Sequence, residues 1–234
     1  MSRAERWSPA RVTAMALVMA GVVLLAAPFW FTFVFATHSR TDIFASPPPV
    51  WFGTHFLANV ALLLERLPFW HNLGLSLYVA SMTTVLNLLL CSLAGFAFAV
   101  YEFPGKKLLF ALVVGSMMLP SFLNMIPTFM VMDLLGWIDQ PRALYVPGAA
   151  GALGTLGLIT FINSWNNFVA PLVVMRSVDH YTVPLALRSM QSPNNTEWGA
   201  LMAGSAIAML PLLVAFVFSA RRLVAGLTAG AVRG

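Results

Sequence analysis

The chain is 234 residues long, 59% hydrophobic and only 9% charged, with a mean hydropathy of +0.83. A soluble domain carries about a quarter charged residues, so this composition excludes one and indicates an integral membrane protein. The net charge of +5 is spread over every inter-segment loop rather than gathered in a stripe, which excludes a nucleic-acid interface and points to the lipid membrane as the first partner.

Five runs contain no Lys, Arg, Asp or Glu: 12–39, 67–101, 108–132, 143–175 and 198–220. They are long and continuous, unlike the alternating strands of about 10 residues in a membrane barrel, so an all-α polytopic fold with five to six transmembrane segments is expected. Arg3, Arg6 and Arg11 precede the first run, which is too long for a cleavable signal core. It reads as a signal anchor with a cytoplasmic N-terminus in a bacterial-type inner membrane. The next loop, 38–71, carries Pro47, Pro48 and Pro49 and a possible short amphipathic helix over 57–67. Residues 1–71 are therefore expected to form an anchor-and-loop region, and 72–234 the transmembrane domain.

The second helix is expected over 72–100, followed by a turn at Pro104-Gly105 with Lys106 and Lys107 on the cytoplasmic side. The third, over 108–135, contains Pro120 and Pro127, which are either gating joints or packing bends. The 33 residues of 143–175 then fit neither one crossing, for which about 20 suffice, nor two. If the run crosses once, seven basic residues lie inside and six outside; if it returns to its own side, the split is eight to five. The positive-inside tendency favours the re-entrant arrangement, with a break expected near Pro147-Gly148.

No catalytic or metal-binding constellation is legible, and the chain reads as no enzyme and as needing no cofactor of its own. His38, His55, His71 and His180 lack ligand spacing, and the single Cys91 excludes an intrachain disulfide. The densest polar cluster is Asn163, Trp165, Asn166, Asn167 and Phe168. Amides beside aromatic faces suit a sugar passing along a substrate pathway, and they equally suit interhelical hydrogen bonding. The glycines at 148, 151, 154 and 157 give a small face for close helix packing.

Trp165-Asn-Asn-Phe-Val-Ala-Pro-Leu172 resembles the permease subunit of binding-protein-dependent ABC importers, in particular the maltose-type sugar branch. Tyr181-Thr-Val-Pro-Leu-Ala-Leu187, Trp198-Gly-Ala-Leu-Met-Ala203, Leu210-Pro211, Arg221-Arg222 and Gly226-Leu-Thr-Ala-Gly-Ala-Val-Arg-Gly234 follow in the family's order, as do Phe103 to Lys107, Met118 to Pro120 and Ile126-Pro127 upstream. The resemblance implies a permease forming half of a sugar pathway, with a second permease, an ABC ATPase dimer and an extracytoplasmic solute-binding protein as partners. It implies that Tyr181, Thr182, Pro184 and Leu185 face the binding protein, and that Arg221, Arg222, Gly226, Thr228, Gly230 and Gly234 reach the ATPases. The family's cytoplasmic Glu-Ala-Ala and Asp-Gly coupling loop has no counterpart here; neither dipeptide occurs in the chain. An internal deletion near 147–152 is the expected cause. The alternative is a permease-derived protein uncoupled from the ATPase, inactive or serving in assembly.

Overall fold

The computed structural model describes residues 9–117, 121–151, 157–193 and 195–231. Arg3, Arg6, the Met118 to Pro120 motif, Gly154 and Gly234 lie outside the described residues. Every regular element described is helical. In order these are α1 (Pro9–Phe35), α2 (Arg40–Ile43), α3 (Phe56–Arg66), α4 (Phe69–Val100), α5 (Lys106–Met117), α6 (Met125–Leu134), α7 (Arg142–Gly151), α8 (Gly157–Trp165), α9 (Val169–Val174), α10 (Val183–Ser189) and α11 (Trp198–Ala231), with short 3₁₀ turns at Ser121–Asn124 and Val178–His180.

Among the described residues, three helices are long and apolar enough to cross a membrane: Pro9–Phe35, Phe69–Val100 and Trp198–Phe218 within α11. The other two uncharged runs are divided. Pro127 falls in the first turn of α6, where its missing N–H is an orphan of the helix start in any case. Pro147 likewise sits inside α7, which continues through Gly148 to Gly151, so the break expected at Pro147-Gly148 does not occur there. A single proline removes one ladder bond, and the packing of α7 on α4 outweighs that loss.

The chain divides into two compact units, Met1–Leu63 with Thr196–Ile207 and Leu64–Asn195 with Ala208–Gly234. In the first, Ala36, Ala203 and Ala206 form a small-residue core with Phe33, Val60 and Met202 against it. Asn59 locks it: its Nδ2 donates to the carbonyls of Ala36 and His38, both at 2.9 Å. Gly199 is required beside it, since a Cβ there would lie 2.5 Å from Asn59 Oδ1 and 2.7 Å from the His38 carbonyl. Small residues let helix backbones approach this closely without lipid between them.

The second unit is organised around α4. Its buried positions Asn72, Ser76, Val79, Ala80, Thr83 and Asn87 recur at three- and four-residue intervals, forming one stripe. Both α7 and α8 pack on that stripe. Gly148 of α7 meets Thr83, while Ser164 of α8 donates to Thr83 Oγ1 at 3.2 Å. Asn87 Nδ2 donates to the Ala149 carbonyl of α7 at 3.2 Å, and Thr160 of α8 donates to Asn87 Oδ1 at 3.2 Å. Farther along α4, Leu88 meets Gly157. Residue numbers therefore rise along α4 in α7 and fall in α8, and the two are the antiparallel arms of a hairpin. Ala143 and Met175, the ends of the 33-residue run, lie in the same hydrophobic cluster with Val79, Met132, Val174 and Leu185. The run is re-entrant.

Candidate functional site

At the open end of the hairpin, α4, α7, α8, α9 and the start of α10 border an open cleft of about 120 Å³. Val79, Leu144, Gly148 and Pro171 form its apolar wall, and Thr83, Thr160, Asn163, Ser164, Asn167 and Thr182 supply its polar atoms. No charged or imidazole side chain lines it.

Each wall is positioned by a local cause. α8 ends at Trp165, so Asn163 and Ser164 stand in its last turn. Asn167 occupies the break before α9, where its Oδ1 accepts the Ala170 N–H at 3.2 Å, the local backbone bonding that makes asparagine favour helix starts. Thr182 precedes α10, whose first amide, Val183 N–H, donates to Ser76 Oγ of α4 at 2.7 Å. Asn72 Nδ2 holds the same segment through the carbonyls of Val178 (2.8 Å) and Tyr181 (2.9 Å). Two buried polar atoms, Asn72 Oδ1 and Thr182 Oγ1, have no hydrogen-bond partner.

Of the expected pathway residues, the structure brings Asn163 and Asn167 together at the cleft. Asn166 is exposed outside it, Trp165 is buried in contact with Phe161, and Phe168 packs on the cluster around Val79 and Met132. Because α8 stops at Trp165, Asn166 and Asn167 do not continue the helical face of Asn163. Thr83, Thr160 and Ser164 were not singled out by sequence. Among the residues expected to face a binding protein, Thr182 and Leu185 are buried and Tyr181 and Pro184 half-buried; Val178, Asp179 and Arg188 are the exposed side chains around them. Arg221, Arg222, Gly226, Thr228 and Gly230 fall within α11.

A clamp closes the base of the hairpin. Asp139 adopts a left-handed backbone (φ 61°), which aspartate tolerates, and its N–H donates to the Val174 carbonyl at 2.9 Å. Its carboxylate accepts the Arg176 N–H (2.7 Å), the Ser177 N–H (3.1 Å) and the Ser177 hydroxyl, and lies 3.1 Å from His180 Nδ1. Burial pushes the Asp139 pKa up, but the bonds from Ser177, Arg176 and His180 outweigh it and hold the group at about 2, below its ordinary 3.8. A depressed pKa gives stability that is present above the unfolded value and lost as pH falls through the folded one. Asp139→Asn is therefore expected to cost about 1–2 kcal/mol above pH 5, and the difference from wild type should shrink steadily as pH falls from about 4 to about 2. Thermal unfolding across that range checks it; a difference at pH 2 as large as that at pH 5 contradicts the clamp.

No protein-family profile matches the chain. It is 31% identical over 202 residues to the arabinooligosaccharides transport system permease protein AraQ of Bacillus subtilis, using 68% of this chain and 72% of that one. It is 24% identical over 262 residues to the sn-glycerol-3-phosphate transport system permease protein UgpE of Escherichia coli O1:K1, using 90% and 93%. That second alignment is longer than the chain. With 90% of 234 residues used, about 50 of its positions have no counterpart here. In fold, the chain matches a bacterial ABC transporter involved in the import of the acidic polysaccharide alginate, with a TM-score of 0.74 and 14% identity over 94% of this chain and 99% of that one. A multi-pass helical membrane protein without enzymatic activity, the chain belongs to the sugar-type permease subunits of ABC importers.

Proposed function

We propose that the chain forms one half of the solute pathway of an importer, beside a second permease, with an ATPase pair on the cytoplasmic side and a solute-binding protein outside. The observation that carries this reading is the re-entrant hairpin. It returns Met175 to the side of Ala143, so with a cytoplasmic N-terminus the segment 176–197 faces outward and α11 runs inward. Residues 178–189 then dock the binding protein through exposed Val178, Asp179 and Arg188, while Tyr181, Thr182, Pro184 and Leu185 hold the segment's shape. Asn163 and Asn167 line the pathway. α11 has 34 residues and is about 51 Å long, so its C-terminal part outruns a hydrocarbon core of about 30 Å and brings Arg221 to Gly230 toward the ATPases.

A second reading, permease ancestry without ATP coupling, is favoured by the arms of the hairpin. With 10 and 9 residues, each helical arm reaches only about 15 Å, half the hydrocarbon core. Co-purification separates the two. Expression with the cognate permease and ATPase should yield a stable complex with nucleotide-dependent uptake; retention of the permease without any ATPase would replace the first reading by the second.

A further inference from the structure

We infer that the loop after α1, centred on Trp51 and Phe52, is a membrane-surface anchor whose partner is the lipid headgroup–acyl boundary at the C-terminal end of α1. The chain turns back there. Gly53 N–H donates to Thr37 Oγ1 at 2.7 Å and His55 N–H to the Thr37 carbonyl at 2.8 Å, just past the helix end. Gly53 is needed for that approach, because a Cβ would lie 2.6 Å from the Thr37 carbonyl oxygen. Val50 reaches back beside the helix, its carbonyl accepting the Trp30 indole N–H at 3.1 Å. Trp30 precedes Phe35, the last residue of α1, by about 7 Å of helix, so the loop returns to that depth. Trp51 and Phe52 pack on the same indole, with ring centroids 5.6 and 5.2 Å away.

Depth identifies the occupant. A crossing needs about 20 residues, and counted from Val12, which follows Arg11, it ends near Phe31. Trp30 therefore marks the edge of the hydrocarbon core, and the loop lies at its level. The side chains suit that level: Val50, Trp51 and Phe52 are 64%, 69% and 47% exposed, and no Lys, Arg, Asp or Glu occurs from Ile43 to Leu64. The Trp51 indole N–H makes no hydrogen bond to protein among the described residues, which leaves it to donate to headgroup oxygens. α3 continues the pattern. It buries the polar Asn59 and exposes Phe56 and Leu57, an inside-out arrangement in water and the favourable one against lipid. Interfaces with soluble proteins carry a polar rim, and this stretch has no charge to supply one.

The test uses the full chain, labelled with fluorotryptophan, in phosphatidylcholine nanodiscs, both alone and co-expressed with the partner permease. Trp51→Phe and Trp51→Tyr each remove one fluorine resonance and so identify Trp51 in the wild-type spectrum, which carries the result. Lipid spin-labelled near the top of its acyl chain should broaden that resonance at least threefold more than a water-soluble nickel chelate does, in both samples. Broadening mainly by the chelate puts the loop in water and overturns the inference. Lipid broadening that disappears when the partner permease is present assigns the face to a protein interface and overturns it equally.

Discussion

Asn87→Ala is expected to lower the unfolding temperature of the purified protein by about 3–10 °C, the largest stability effect of any single polar side chain that ties the hairpin to α4. Asn87 is fully buried and ties both arms to α4, donating to Ala149 and accepting from Thr160. Truncation removes both of these bonds in a region where water is scarce. Interhelical hydrogen bonds in membranes are each worth about 0.6–1.7 kcal/mol, so loss of two gives about 1–3 kcal/mol. For a chain of this size each kcal/mol moves the midpoint by about 2–4 °C. Thr160→Val removes one of the two bonds and should cost about half as much. Combined with Asn87→Ala it should add little, because that bond is already gone. Ser92→Ala, on an exposed position of the same helix, is the control. If it lowers the midpoint as far as Asn87→Ala, the tie between the arms is not what holds the hairpin.

Asn87 also shows where the sequence was readable. The helices and the odd length of 143–175 follow from charge spacing alone, because hydrocarbon thickness fixes how many residues a crossing needs. The return of that run to its own side follows only weakly from counting basic residues. What decides it are contacts of Thr83 and Asn87 with residues 62 to 81 positions later, which no local pattern can show. The cleft was half legible. Asn163 and Asn167 stand out because amides are rare in apolar runs, whereas Thr83 and Ser76 vanish into a helix that reads as uniformly apolar. A signal was present in the four-residue spacing of Asn72 and Ser76 and of Thr83 and Asn87 on one face. Asp139 was illegible as a clamp. Its partners at 176–180 are distant in sequence, and their proximity depends on the hairpin having formed.

Inserting the roughly 50 positions that UgpE has and this chain lacks between Gly151 and Gly157 is expected to raise nucleotide-dependent uptake at least tenfold, if energy coupling is what the short hairpin has lost. The physical argument is one of reach. The two helical arms extend about 15 Å each, about half of a hydrocarbon core of about 30 Å. Two restored half-helices and a loop close that distance without disturbing the contacts of Gly148, Thr160 and Ser164 with α4. In the proposed arrangement the extended end of α11 is a second, independent route to the ATPases. Truncation after Ala220 removes that route, and should lower ATPase co-purification in the unmodified chain far more than in the grafted one. A graft that changes neither uptake nor ATPase retention, together with a harmless truncation, would mean that neither element couples. The chain's contribution would then be confined to the half that carries the cleft and the Asp139 clamp.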